Sequence, residues 1–282
     1  MLGVYCVNKA SGENSTYVVS KIKHITNEKC GHFGTLDPLA SGVLPVAVGK
    51  ATKLFDYFLT KDKKYFAIAK FGIETDTLDS QGEVVIKNEK QISLSQIQSV
   101  INKFIGKIKQ VPPQYSAINI NGERAYELAR QGKQAQIKPR EIEIFSLSVS
   151  DYGENMFSFE IHCSAGTYVR TLISDIAKEL GTVATTVCII RRASGKFLLE
   201  NSYTLSEIES GKAELLSIDK VLDLPIKSLS EEQSKKLLNG QTITTEIKEE
   251  QTLCYLNDKP IGICTTKNNS TKIQINLWEE NK

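Results

Sequence analysis

The chain has 282 residues, of which 40% are hydrophobic and 24% are charged, which is the composition of an ordinary soluble globular protein. Its formal net charge of +2 is too small to indicate a polyanion-binding protein by itself, although a local basic patch can exist in a nearly neutral chain. The six cysteines form no CxxC pair, no apolar run is long enough to span a membrane, and the N-terminus lacks the regions of a signal peptide. We therefore expect a cytoplasmic protein without a metal site, folded as one large domain or as a large and a small one.

The first elements are predicted to lead into a stiff, carboxylate-bearing loop. Residues 3–8 form a short apolar run, and residues 15–23 have the spacing of a short helix. Residues 31–45 are rich in Gly and Pro, and Pro38 restrains Asp37 toward an extended conformation. Residues 43–48 then read as a strand. Asp37 is either a functional carboxylate on a rigid scaffold or the cap of a turn, and this stretch alone leaves both roles open.

The next segments predict a helix, a central strand and a hairpin. Residues 50–59 have two apolar pairs at i,i+4 spacing, Leu54 with Phe58 and Phe55 with Leu59. Residues 65–71 are apolar on both faces, which indicates a buried central strand. The polar residues 75–82 connect it to a strand at 83–86, so a long hairpin is expected.

A helix with clear capping residues is predicted over residues 94–105. Ser93 is a good N-cap and Gln96 occupies the N3 position of a capping box. Gly106 is expected to end this helix.

The most basic stretch of the chain follows this helix. Residues 107–140 contain seven basic side chains against two acidic ones, and the Pro-Pro pair at 112–113 excludes regular structure there. This pattern favours a mobile arm that grips a polyanion, with a solvated surface loop as the alternative. A short helix is expected over residues 123–130.

Two strands and a helix complete the large domain. Residues 141–149 and 156–164 alternate like strands, and residues 168–180 form a helix that Gly181 ends. Arg170 lies in the first turn, where the helix dipole disfavours a cation, so a carboxylate partner is expected. Residues 187–190 form a short apolar strand followed by Arg191.

The composition changes near Pro225, so we place the domain boundary between residues 222 and 223. Ser230 and Gln233 start another capped helix, and short strands follow at 252–256, 261–265 and 272–278. Residues 223–282 are therefore expected to form a small, separate, mostly β module.

Six segments, in order, resemble the TruB family of tRNA pseudouridine synthases. The longest is GHFGTLDPLASGVLP at residues 31–45, and the others are KY at 64–65, TDTLD at 75–79, PPQYSA at 112–117, GTYVRTL at 166–172 and IRR at 190–192. The resemblance covers nearly the whole large domain, and the tail is similar to a PUA-like module. It implies an α+β fold with a central mixed, largely antiparallel sheet flanked by helices, and a small C-terminal β-rich, PUA-like RNA-binding module.

The resemblance also implies a reaction and a set of residues. The family isomerises the uridine at position 55 in the TΨC loop of tRNA, by flipping the base out of the loop. The catalytic residues implied are Asp37 as the essential carboxylate, Tyr65 as the residue that stacks on the base, and Arg170 as the partner that aims Asp37. The other substrate-binding residues implied are His32, Tyr168 and Ile190.

The resemblance implies no metal or organic cofactor, tRNA as the partner, no obligate protein partner and a monomer. At several positions the chain departs from the family pattern: Ala10 follows Lys9 where proline is usual, Phe33 stands where Thr is common, and Asn119 and Ala165 stand where lysine is common. These departures concern RNA affinity and local packing rather than the central chemistry.

Two other functions are compatible with parts of the sequence. One is a non-catalytic RNA-binding or tRNA-folding protein, which would need no buried carboxylate. The other is a hydrolase that uses Asp37 with Asp76 or Asp79 and releases free uracil. Nothing in the sequence pairs either residue with Asp37, so the sequence favours the hydrolase least of the three functions.

Overall fold

A computed structural model of the chain describes residues 1–120, 122–245 and 247–279. The strands in these ranges are, in chain order, β1 (Gly3–Lys9), β2 (Cys30–His32), β3 (Ser41–Val48), β4 (Lys63–Phe71), β5 (Ile73–Thr75), β6 (Val84–Lys87), β7 (Gly106–Gln110), β8 (Asn119–Ile120), β9 (Glu123–Arg124), β10 (Arg140–Gly153), β11 (Met156–Cys163), β12 (Ala184–Ser194), β13 (Phe197–Leu198), β14 (Ile226–Ser228), β15 (Ile243–Thr244), β16 (Gln251–Leu256), β17 (Lys259–Lys267) and β18 (Ser270–Asn276).

Eight α-helices lie in the same described ranges. They are α1 (Ser15–Thr26), α2 (Phe55–Leu59), α3 (Leu94–Ile101), α4 (Ala125–Arg130), α5 (Val169–Glu179), α6 (Leu205–Glu209), α7 (Ile218–Val221) and α8 (Glu231–Leu238). Short 3₁₀ segments precede α2 and follow α3. Within the part of the chain that the structure describes, no helix is long and apolar enough to cross a membrane.

A mixed sheet runs through the large domain in the strand order β1-β3-β12-β4-β11-β10-β7. Neighbouring strands are antiparallel except β12 and β3, which are parallel where Arg191 meets Gly42. One face of this sheet packs on α1, α3 and α5 and forms the main apolar core. The predicted α+β fold with a largely antiparallel central sheet is therefore confirmed.

The predicted central strand is confirmed, and the predicted hairpin is present, but β6 pairs with the short β5 that follows β4 rather than with β4 itself. Strand β4 pairs on one side with β11 and on the other with β12. Because these two strands occupy both of its edges, β4 has no free edge for the following strand. Strand β6 pairs instead with the short β5 as a separate two-stranded sheet.

Two predicted helices are confirmed but shorter than expected. Helix α3 begins with the predicted capping box of Ser93 and Gln96, yet its α-helical part ends at Ile101. A 3₁₀ turn over Asn102–Phe104 follows, and Gly106, at φ +92°, then turns the chain into β7. The first residues of the predicted arm therefore lie in the edge strand β7. Around α2, Leu54 and Phe58 are buried whereas Phe55 and Leu59 are exposed, because only one side of this segment faces the core.

The C-terminal residues form their own five-stranded sheet in the order β14-β16-β17-β18-β15, and helix α8 has the predicted capping box. The module also packs against the large domain. Leu253, Ile263 and Leu277 share an apolar cluster with Val4 and Ala47 of the large domain. This shared core packs the module against the β1–β3 side of the central sheet.

Candidate active site

A cavity of about 360 Å³ lies where the Asp37 loop, β4, β12 and the beginning of α5 meet. Its walls include Asp37, Tyr65, Tyr168 and Arg191, and residues from 117 to 119 and Arg140 of the predicted arm complete it. The structure thus brings together several of the predicted site residues that are far apart in the sequence.

The Asp37 loop is held by more contacts than its Gly and Pro residues suggest. Ser15 Oγ contacts both the carbonyl oxygen and the backbone N–H of Leu36, at 2.9 Å each. The Nζ of the buried Lys9 donates to the carbonyl of Pro38 at 3.4 Å, and the backbone N–H of Gly12 donates to the same carbonyl at 2.8 Å. Burial lowers the pKa of Lys9 to about 8. These contacts fix the backbone on both sides of Asp37.

Asp37 presents a carboxylate that is restrained on one side and open on the other. Arg170 donates from Nε at 2.8 Å to Oδ2 of Asp37, and its Nη2 lies 2.7 Å from the same oxygen. The Arg170 side chain is only 3% exposed, whereas that of Asp37 is 32% exposed. The carboxylate partner that the helix dipole required of Arg170 is therefore present, and it is Asp37.

Arg170 also contacts the polar loop that connects β5 to β6. Its Nη1 donates to the carbonyl of Thr77 at 2.7 Å and lies 3.5 Å from Oδ2 of the buried Asp79. Between these residues Leu78 has a φ of +60°, a conformation that non-glycine residues adopt with strain. The Nη2 of Arg170 donates to the carbonyl of Tyr115 at 3.0 Å, so Arg170 also anchors the Pro-rich segment.

Two tyrosines form walls of the cavity. Tyr65 faces it from β4, and burial raises its pKa while the nearby positive charge of Arg191 opposes that rise. Burial also raises the pKa of Tyr168. The backbone of Tyr168 is held by the side chain of Gln110, which accepts from its N–H at 2.8 Å and donates to its carbonyl at 3.1 Å.

Arg191 is a buried residue of the site that the sequence did not identify. It is 1% exposed and donates to the carbonyls of Val43 at 2.7 Å, Thr35 at 3.3 Å and Gly34 at 3.0 Å. It therefore links both ends of the Asp37 loop to β12. Gly42 is required beside it, since a Cβ there would overlap the Arg191 backbone. The predicted strand at 187–190 ended before this residue, whereas β12 continues to Ser194.

Two predicted substrate-binding residues lie elsewhere than in the cavity wall. Ile189 and Arg191 line the cavity, and Ile190 lies between them, so its side chain projects from the opposite face of β12. Ile189 rather than Ile190 thus forms the cavity wall at this strand, and a contact of Ile190 with the substrate stays a prediction. His32 lies on β2, outside the cavity lining, and its buried Nδ1 has no hydrogen-bond partner among the described residues.

No group of three His, Cys, Asp or Glu side chains in the described ranges is arranged as a metal site. The chemistry that the cavity offers is that of a carboxylate fixed by a guanidinium, two tyrosines and additional buried cations. Such a set can act on a polar ring by covalent or proton-transfer steps.

Comparison with known families gives a consistent result. The family model described as TruB family pseudouridylate synthase (N terminal domain) matches residues 22–169. A tRNA pseudouridine synthase B from Caldanaerobacter subterraneus subsp. tengcongensis is 41% identical over 259 residues, which cover 91% of this chain and 91% of that protein. A tRNA pseudouridine synthase B from Francisella philomiragia subsp. philomiragia is 41% identical over 244 residues, covering 83% of this chain and 81% of that protein.

Solved structures resemble the whole architecture. One is an H/ACA RNP bound to a substrate RNA containing 2′-deoxyuridine, with a TM-score of 0.70 and 24% identity over 98% of this chain and 85% of that chain. Another is a Cbf5-Nop10-Gar1 complex, with a TM-score of 0.68 and 24% identity over 97% of this chain and 79% of that chain. At this identity the likeness concerns the fold alone.

Proposed function

Because the chain belongs to the TruB family of pseudouridylate synthases, we propose that it isomerises a uridine of tRNA to pseudouridine. We further propose that the target is position 55 in the TΨC loop and that the enzyme needs no obligate protein partner. The relatives that are 41% identical to this chain carry the name tRNA pseudouridine synthase B, which supports tRNA as the substrate.

The arrangement of Asp37 is the observation that carries this proposal. One oxygen of its carboxylate is held by the buried Arg170, and the side chain remains open to a cavity with tyrosine walls. A binding protein for RNA would gain nothing from a carboxylate at this place, because it repels phosphate. A fixed carboxylate beside an aromatic pocket suits chemistry on an extruded base.

The reaction rearranges atoms without adding or removing any. The bond between C1′ of the ribose and N1 of uracil breaks, the base turns, and a bond forms between C1′ and C5. The proton on C5 leaves and N1 gains one. The Asp37 carboxylate attacks the ring or C1′, or takes a ribose proton on a glycal route, and each of these roles needs the oxygen that Arg170 leaves free.

The two tyrosines offset the cost of extruding the base. Unstacking a nucleotide costs a few kcal/mol, and stacking on aromatic side chains recovers part of it. Tyr65 stacks on the flipped uracil, and Tyr168, whose backbone Gln110 holds, lines the wall beside it.

Mapping of pseudouridine in an unmodified tRNA transcript tests this function. We expect one pseudouridine per tRNA at position 55 after incubation with the enzyme, and none in a matched transcript with cytidine at that position. Tight binding of both transcripts without pseudouridine would favour the non-catalytic RNA-binding function. Release of free uracil would favour the hydrolase.

A further inference from the structure

Two buried cations lie on the Tyr65 side of the cavity. Lys63 is 6% exposed and Arg191 is 1% exposed, and both line the cavity. Lys63 and Tyr65 are two residues apart on β4, so their side chains share a face. Arg191 of β12 is directly opposite Tyr65 in the sheet register. We call Lys63 and Arg191 the cationic wall.

Neither member of the cationic wall has an acidic partner among the residues that the structure describes. Lys63 Nζ donates to the carbonyl of Leu59 at 3.3 Å and to that of Lys61. Asp62 is the nearest carboxylate in the sequence, but its Oδ2 lies 2.5 Å from Nε2 of His162. The hydrogen bonds given for these two cations all go to backbone carbonyl oxygens of the described residues.

A buried cation without an anion is costly, because carbonyl dipoles replace only part of the lost hydration. The other charged side of the cavity is different, since Arg170 there already contacts Asp37 and Asp79. The cavity thus carries an excess of positive charge on the side where Tyr65 lies. An anion formed during the reaction would complete this arrangement.

We propose that the cationic wall of Lys63 and Arg191 stabilises the uracil anion that forms when the bond between C1′ and N1 breaks. The electron pair of that bond stays on the base and spreads over N1, O2 and O4. C1′ meanwhile bonds to the Asp37 carboxylate, or the ribose loses its C2′ proton to it, so the negative charge moves from Asp37 to the base. When C5 bonds to C1′, the Asp37 carboxylate is regenerated as the anion, after which the C5 proton is lost and N1 is protonated. This inference rests on the isomerase function proposed above.

A phosphate group of the RNA is the competing anion. Arg140 is exposed and lines the same cavity, so it offers a contact to phosphate without desolvation. Lys63 and Arg191 are almost inaccessible to solvent. Their burial favours an anion that forms inside the cavity over one that arrives from outside.

The test compares uridine with 5-fluorouridine at the target position. The fluorine makes the uracil anion more stable, so bond cleavage depends less on a nearby cation. Lys63→Met removes the charge, and Lys63→Gln removes it while keeping a hydrogen-bond donor for the two carbonyls. Lys64→Met is the matched control, because Lys64 is the exposed neighbour on the opposite face of β4.

The measurement is the single-turnover loss of the original nucleoside, followed by mass spectrometry of digested tRNA. We expect both Lys63 variants to lower the uridine rate by about 10- to 100-fold and the 5-fluorouridine rate by a clearly smaller factor. Lys64→Met should change neither rate.

Equal losses on the two substrates would overturn the proposal and assign Lys63 a structural role. Weaker tRNA binding with an unchanged single-turnover rate at saturating enzyme would overturn it in favour of a phosphate contact. If wild-type enzyme consumes neither nucleoside, the proposed isomerase function itself fails. Should Lys63→Met not fold, Lys63→Gln gives the same comparison.

Discussion

Two buried arginines hold the Asp37 loop through different kinds of partner. Arg170 contacts the carboxylates of Asp37 and Asp79. Arg191 contacts three backbone carbonyls. The charge of Arg170 is therefore neutralised before any substrate binds, whereas the charge of Arg191 is not. We infer that the first arginine orients the reacting carboxylate and that the second supplies a positive field.

Arg170 and Arg191 join different parts of the structure. Arg170 joins α5, the Asp37 loop and the loop after β5, whereas Arg191 joins the two ends of the Asp37 loop to β12. Substitution of either residue affects structure as well as charge. Variants that separate these two effects are therefore the most informative.

Arg170→Met should have the largest effect. The substitution leaves Asp37 unrestrained and the nearly buried Asp79 without a cation. We expect a loss of about 3–5 kcal/mol in the free energy of unfolding and a fall of at least about 10³-fold in the isomerisation rate. Urea unfolding and single-turnover assays measure the two quantities.

Lys178→Met on the exposed side of α5 is the matched control for Arg170→Met, and it should change neither quantity. An Arg170→Met enzyme that isomerises within tenfold of wild type would show that Asp37 needs no guanidinium.

Arg191→Met should have the second largest effect on stability and on the isomerisation rate. Three carbonyls lose their donor, which is expected to cost about 2–3 kcal/mol in unfolding free energy, and the rate should fall by about 10²-fold. Arg192→Met is the control, because the exposed Arg192 pairs with Glu160 outside the cavity. Equal unfolding free energies and equal rates for Arg191→Met and Arg192→Met would contradict a role of Arg191 in holding the loop and in the reaction.

The pH dependence of the rate should show the ionisation of Lys63. Burial lowers the pKa of Lys63 to about 8, so its charge is present below that pH and is lost above it. Burial raises the pKa of the neighbouring Cys163 to about 11, so this thiol does not mimic the change. Lys9 has the same lowered pKa of about 8, but it titrates equally in wild type and in Lys63→Arg, the two enzymes compared below.

The comparison is between wild type and Lys63→Arg, with single-turnover rates normalised at pH 7. Because arginine keeps its charge, we expect the wild-type rate at pH 9.5 to fall by up to about tenfold relative to that of Lys63→Arg. Superimposable profiles would show that the charge of Lys63 does not contribute.

The smallest effect is expected at a position where the chain departs from its family. Ala165 lines the cavity where a lysine is common. Ala165→Lys should tighten tRNA binding about two- to fivefold at low salt and steepen the salt dependence by about one charge. Gln98→Lys on the exposed side of α3 adds the same charge away from the cavity. Equal gains from both variants would indicate non-specific attraction.

Local signals in the sequence predicted local structure well. The capping boxes at Ser93 and Ser230 depend on residues three apart, and both are present. The need of Arg170 for a carboxylate followed from its place in the first turn of a helix. The family resemblance supplied Asp37 as that carboxylate, and their ion pair is present.

The remaining features depend on tertiary geometry that the sequence does not display. Asp79 reaches Arg170 only because Leu78 adopts a left-handed conformation between it and Thr77. The choice of Ile189 over Ile190 depends on the pleat of β12. The burial of Phe33, which stands where Thr is common, depends on stacking with Phe58 at 4.4 Å between ring centroids.

The most direct measurement of the central claim is tritium release from tRNA transcript labelled at C5 of uracil, with Asp37→Asn and Asp79→Asn compared with wild type. Both residues contact Arg170, but only Asp37 is open to the cavity. We predict that Asp37→Asn binds tRNA and releases no tritium, whereas Asp79→Asn keeps a measurable rate. Release by Asp37→Asn at a rate near that of wild type would contradict the assignment of Asp37 as the reacting carboxylate.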